Sequence, residues 1–214
     1  IGTILITSFL ISYLYSREMI KQTVVITEQK MDIIIQSLEE EVDIILELQN
    51  KIQGDNQLQE LMTTHDKMKT LGQDNSKEIS ELLRQYSYDN TSVNSIFYFD
   101  MNQEILDPLY QLEPYSKIVN EFEPFDEFVA SKKNSSFSIP TNFPSKSYNI
   151  DEKITSTFTY FSNYIDINNF VQIGYLLINV NKNSVFKNFT RLCESEFDYV
   201  IIEDHLGRTI VEVG

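Results

Sequence analysis

Two histidines, one cysteine and 32 carboxylates are the side chains in this chain of 214 residues that could do acid–base, nucleophilic or metal chemistry. Hydrolysis of the Ser-His-Asp kind needs an imidazole oriented by an acid. His65 lies in the polar run Thr63-Thr64-His65-Asp66 and His205 in a turn before Gly207, so both are expected at the surface. Cys193 has no second cysteine and no His/Cys cluster around it, which excludes a disulfide framework and a structural zinc site. Glu39-Glu40-Glu41 falls in a long helical stretch, where a charge run is a solvated face. Asp100-Met101-Asn102-Gln103-Glu104 resembles part of a calcium loop but lacks the loop glycine and the spacing to a terminal glutamate. Six scattered glycines form no phosphate loop. The expectation is a segment with no catalytic residue, no metal and no cofactor.

The charge balance narrows the partners. Seventeen basic against 32 acidic side chains leave −15, the wrong sign for a phosphate backbone, so nucleic acid is excluded. With 42% hydrophobic and 12% aromatic residues there is enough apolar material for a core. Residues 1–15 (IGTILITSFLISYLY) carry no charge. At 1.5 Å per residue they cover about 22 Å of a hydrocarbon core about 30 Å thick, so they are expected to be the outer part of a transmembrane helix that begins before Ile1; a buried core helix is the alternative. Arg17 and Lys21 alone do not fix the orientation. The scarcity of cysteine and the acidic balance favour an extracytoplasmic location from about residue 16 onward, in an excerpt of a longer polypeptide.

Residues 16–53 contain no Pro or Gly, and Val24, Met31, Leu38, Ile45 and Ile52 recur every seven positions, which predicts one long amphipathic helix. A seven-residue repeat can form a supercoiled seam with a second copy, making the chain a homodimer. The same stripe can instead pack on its own domain, and the two uses can share the helix. Gly54, as a left-handed position, and Asp55, as a new cap, are expected to end it. Short helices follow over 58–62 and 79–86, the second opened by a capping box from Asn75 to Glu78. Residues 94–106 read as a hairpin turning at Met101-Asn102-Gln103, and 115–130 as a helix interrupted by Pro124. Residues 131–147 read as irregular, and 154–164 with 171–181 as a long antiparallel hairpin. Asn183 or Ser184 caps a helix to Leu192, and 197–203 pairs with 209–213.

The fold class is therefore α+β: a long N-terminal helix, then an antiparallel sheet flanked by helices. In this order the chain resembles the extracellular double Cache, PAS-like sensor regions of bacterial membrane histidine kinases of the YesM type. Four stretches carry the likeness: the apolar segment running into residues 16–52, NSIFYFDMNQEIL at 94–106, IGYLLINVNKNSVFKNF at 173–189, and DYVIIEDHLGRTIVE at 198–212. The resemblance implies a membrane-distal unit over 54–192 and the first strands of a membrane-proximal unit over 193–214. AraC-type regulators and chemoreceptors carry similar front ends.

Such domains, where they bind amino acids, show an Arg-x-Trp-Tyr element whose Arg pairs with the ligand carboxylate. Here Glu123-Pro124-Phe125-Asp126 stands in that place, and an acid for the Arg argues against a carboxylate ligand. Tyr148-Asn149-Ile150-Asp151 echoes a Tyr-x-Asp element, so Asp151 would receive a cationic group. Tyr98, Phe125, Phe158, Tyr160 and Tyr175 would face the pocket, and an aromatic box beside Glu123, Asp126 and Asp151 suits an amine. The competing reading makes these rings core. Alternation puts Phe158 and Tyr160 on one face of their strand and Thr157, Thr159 and Phe161 on the other, so only one set can line a cavity; the first is chosen. The resulting expectation is a signal-sensing region for a non-carboxylate small molecule, with a protein-binding ectodomain lacking a small-molecule ligand as the alternative.

Overall fold

The computed structural model describes residues 2–107, 122–138, 141–144, 154–196, 199–203 and 207–213. Helix α1, Gly2–Gln53, runs unbroken for 52 residues. Ile34, Ile45, Leu48 and Ile52 recur at helical spacing on its inner face and are all buried. The helix ends as its backbone turns, the Gly54 amide donating to the Asn50 carbonyl at 2.9 Å. Gly54 itself lies outside the left-handed region, against expectation; an i→i+4 bond closes the turn without it.

Asp55 caps helix α2, Asn56–Thr70, accepting from the backbone amides of Gln57 and Leu58. The helix runs eight residues past the expected end at Met62, because Leu58, Met62 and His65 continue one buried stripe through the polar run. Helix α3, Ser76–Tyr88, starts after Asn75, yet the expected capping box is not made. Asp74 accepts from the Ser76 amide instead, at 2.9 Å, while the Asn75 side chain turns inward. Tyr86 then donates to the second Asp55 oxygen at 2.6 Å, stapling α3 to the α1–α2 corner.

Strand β1 (Val93–Asp100), helix α4 (Glu123–Ser131), strands β2 (Ser135–Phe137), β3 (Thr141–Pro144), β4 (Ile154–Asp166) and β5 (Val171–Asn181), helices α5 (Lys182–Val185) and α6 (Lys187–Glu196), and strands β6 (Val200–Glu203) and β7 (Thr209–Val213) follow. The main sheet is antiparallel, in the order β1-β5-β4-β2, with β3 also on β4. The long hairpin is confirmed as β4–β5. The described parts of 131–147 are less irregular than expected: β2 and β3 lie along β4, and the Phe137 ring stacks on Phe158 at 5.0 Å. The predicted hairpin at 94–106 is reduced to a single bridge, Phe99 with Ile105. Pro124 sits in the first turn of α4, where its missing amide breaks no helical bond.

Two-residue alternation divides the sheet between two cores. Ile96, Tyr98, Tyr160, Tyr164, Leu176, Ile178 and Val180 face α1, α2, α3 and α6. Phe97, Phe99, Phe161 and Leu177 face α4, whose Phe125 and Phe128 join them. The β6–β7 pair forms its own small sheet, with Val211 and Val213 in the first core. The expected unit boundary at 192/193 falls inside α6, where Cys193 is buried and its thiol is pushed up by desolvation.

Gly174 is a position of enforced close approach. A Cβ there would lie 2.4 Å from the Phe99 carbonyl oxygen and 2.4 Å from the Tyr98 ring. Gly174→Ala should therefore part β1 from β5 and lower stability by about 1–3 kcal/mol, read from the denaturant midpoint.

Candidate functional site

At the turn end of β1, a recess of about 230 Å³ opens between α2 and the β1–β5 pair. Helix α2 contributes Met62, Thr63 and His65, β1 contributes Tyr98 and Asp100 with Met101 beyond it, and β5 contributes Gln172 and Ile173.

His65 is 3% exposed, which overturns the expectation of a surface histidine. Its place one turn beyond Met62 on the inner stripe of α2 buries it. The Asn75 amide nitrogen donates to the Leu61 carbonyl at 2.8 Å, so the Asn75 oxygen is the acceptor facing the imidazole. His65 Nδ1 therefore carries a proton and donates to it at 2.6 Å. In the neutral ring this leaves a lone pair on Nε2, which is buried and makes no hydrogen bond.

Asp100 is also 3% exposed. One of its oxygens accepts the backbone amides of Asn102 and Glu104, each at 2.8 Å, and the other faces the Asn102 side-chain amide at 3.3 Å. The sequence that looked like part of a calcium loop is thus a tight turn, with Gln103 in the left-handed region at φ 64°. At its outer side Glu104 pairs with Lys69 at 2.9 Å, and that hydrogen bond and charge hold the Glu104 carboxyl below its usual range. Tyr98 donates to the Ile173 carbonyl at 2.6 Å and Gln172 to the Gly174 carbonyl at 3.2 Å. The polar side chains that line the recess are His65, Asp100, Gln172 and Thr63, and with the imidazole neutral they offer the Nε2 lone pair, the Asp100 carboxylate and the amide and hydroxyl oxygens as acceptors.

The recess is two contacts from the long helix. The Tyr98 ring meets Tyr164 edge-on at 5.5 Å between centroids, and the Tyr164 hydroxyl donates to the Ile52 carbonyl at 3.4 Å. Gln59 donates to the Ile165 carbonyl at 3.0 Å and accepts from the Ile167 amide, and Gln53 also donates to Ile165. The β4–β5 turn is thereby clamped to the end of α1.

The residues singled out from sequence do not share one cavity. Tyr98, Phe158 and Tyr160 are buried on the α1–α3 face, where Phe158 packs on Phe137 and Phe186. Phe125 and Tyr175 lie on the opposite face, edge to face at 5.5 Å. Glu123 and Asp126 are exposed in the first turn of α4. Tyr148 and Asp151 lie outside the described residues. The five rings therefore do not form a single box, because strand alternation sends them to two cores. The burial of His65 is what the sequence reading lacks; its signal is the 58-62-65 spacing, obscured by polar neighbours.

The seven-residue stripe is divided as well. Val24 and Met31 are exposed, at 51% and 38%, whereas Ile45 and Ile52 are buried in the domain's own core, with Leu38 half-buried against it. Ile45 and Ile52 are thus taken by the domain, whereas Val24 and Met31 stand clear of it.

Asp55 and Tyr86 link pH to stability at this corner. Burial pushes the Asp55 carboxyl up, but the Tyr86 hydroxyl and two backbone amides outweigh it and hold it below the usual range. Tyr86 is pushed up to about 12, first by burial and then by Asp55. A depressed carboxyl stabilises the fold above its unfolded value and loses that contribution as pH falls through its folded value. Below about pH 4 the midpoint of unfolding should fall, and Tyr86→Phe should lessen the fall.

No family model matches this chain. No curated protein matches it either. Among solved structures it is similar to the sensor domain of E. coli DcuS, at 12% identity over 72% of this chain and 98% of that one, with a TM-score of 0.45. It is also similar to the sensory domain of the Campylobacter jejuni chemoreceptor Tlp3 with isoleucine bound, at 10% identity over 86% and 69%, TM-score 0.43. A further similar structure is the ligand-binding domain of the Pseudomonas fluorescens chemoreceptor CtaA with L-isoleucine, at 11% identity over 82% and 70%, TM-score 0.36.

Proposed function

We propose that this chain is the extracytoplasmic signal-sensing region of a membrane-bound bacterial sensor histidine kinase, of the double Cache, PAS-like kind, acting as a homodimer. The observation that carries this reading is the division of α1. One continuous helix is built into the sheet domain through Ile45, Leu48 and Ile52 and offers a second copy the exposed side chains Val24 and Met31. A change in how the domain holds the top of this helix must move its lower half, since no break separates them. Among the described residues no helix is long and apolar enough to cross a membrane. In this reading the uncharged run 1–15 belongs to the anchor.

Signalling then needs two arrangements of the helix pair and a ligand that binds one of them better, because equal affinity shifts nothing. The kinase output rests on the sequence resemblance; an AraC-type regulator or a chemoreceptor would use the same front end. One observation favours a second reading, a protein-binding ectodomain: the α4 face of the sheet is filled by its own rings, with Phe128 on Phe161 at 5.3 Å and Phe125 on Phe99 at 4.6 Å.

The test is association. Val24→Glu with Met31→Glu alters only exposed positions, so the melting temperature of the domain should hold while sedimentation in detergent shifts from dimer to monomer. A chain that stays dimeric with both glutamates removes the seam from the account.

A further inference from the structure

We propose that the recess between α2 and the β1–β5 edge binds a small primary ammonium ligand with a short apolar body, held by His65 and Asp100. Binding stands on the recess alone; its use as a signal rests on the sensor reading above.

Three observations converge on this chemistry. A buried polar atom without a partner is rare in a folded protein and calls for an occupant. His65 Nε2 is such an atom, in a ring 97% buried by its 3% exposure, and that ring lines the recess. The chain Leu61–Asn75–His65 fixes a proton on Nδ1 from outside, so in the neutral ring Nε2 offers a lone pair and asks for a donor. Second, the charge that the recess buries is negative. Asp100 forms part of its wall, and the neighbouring cation Lys69 is engaged by Glu104 on the outer side of the turn. With a chain charge of −15 this field draws a cation and repels a carboxylate or phosphate.

Third, the walls suit an organic cation better than a metal ion. Met62, Met101, Ile173 and the Tyr98 ring provide apolar and aromatic surface next to the acceptors. A divalent metal would call for more protein ligands, and among the described residues no group of three His, Cys, Asp or Glu side chains is placed to hold one. A primary ammonium has three N–H donors, which matches the acceptor surplus of the His65 lone pair, the Asp100 carboxylate and the Thr63 hydroxyl. Such a ligand would touch Tyr98, whose ring leads through Tyr164 to the Ile52 carbonyl of α1.

The probe is isopentylamine, with isopentyl alcohol as its neutral isostere and isovalerate as the anionic one. The full chain in detergent is titrated with each by calorimetry and by thermal unfolding. The expected result is a saturable heat and a concentration-dependent rise in melting temperature with the amine alone. Asp100→Asn keeps an acceptor for the turn amides but removes the charge, and should weaken the amine by about tenfold. Thr63→Tyr, at an exposed position on the rim, should block it without unfolding the chain. No binding of the amine to the folded chain overturns the site. Equal binding of the alcohol or of isovalerate overturns the ligand class, and amine binding unchanged in either variant overturns the placement. Amine binding that leaves the α1 seam unmoved would keep the site and count against the sensor reading.

Discussion

Ile52→Ala is expected to lower the unfolding free energy by about 3–4 kcal/mol, while Val24→Ala, on the same helix and the same seven-residue stripe, moves it by less than about 0.5 kcal/mol. Ile52 is fully buried in the last turn of α1, within the core shared with Leu58, Ile79, Tyr164 and Leu176. Its loss removes buried methyl and methylene groups and leaves a cavity that a sheet and three helices cannot collapse into. Val24 is 51% exposed and has no such surroundings. Ile45→Ala should follow Ile52, and Met31→Ala should follow Val24. The comparison, made by denaturant titration under monomeric conditions, maps where the domain lets go of the helix. Equal losses along the stripe would mean that its lower half is packed on the domain too.

The second large effect is at the base of the same face. Arg84 reaches from α3 to Asp107, a single guanidinium nitrogen donating to both carboxylate oxygens at 2.8 and 2.9 Å. The Asp107 side chain is 7% exposed and that of Arg84 28%, so the acid is the desolvated partner. Arg84→Met removes both of these bonds from a desolvated carboxylate and should cost about 3 kcal/mol. Adding Asp107→Leu removes the buried charge and should recover part of that loss, because a buried pair is worth less than the penalty of breaking it. If the double variant is no more stable than Arg84→Met, the cost lies in packing around α3 and not in the carboxylate.

The fold was largely written in periodicity. Seven-residue recurrence marks α1, and alternation marks β4, β5 and the split of Phe158 and Tyr160 from Phe161. What periodicity could not supply was the use of each face. The stripe on α1 reads alike at Val24 and Ile52, although one meets solvent and the other the sheet. Short strands β2 and β3 were hidden in a Ser-, Asn- and Pro-rich stretch because pairing with β4 decides them, not their own propensity. The candidate site was less legible. Tyr98 lies in the wall of the recess, but the sequence around His65 and Asn75 misleads, since the residue that reads as a helix cap serves instead to orient an imidazole ten positions earlier. Asp100 reads in the sequence only as part of an incomplete calcium loop, and it is the fold that puts it in the wall of the recess.

The central claim is that events in the sheet domain reach the lower half of α1, and cross-linking at Met31 tests it most directly. A chain carrying Met31→Cys with Cys193→Ser is placed in membrane vesicles. Disulfide yield is then followed while amines, including isopentylamine, amino acids, sugars and short peptides are added in turn. The account predicts that at least one class changes the yield saturably and that the change is lost in Tyr164→Ala, which cuts the contact between Tyr98 and Ile52. A folded, cross-linkable chain whose yield is indifferent to every class would contradict it.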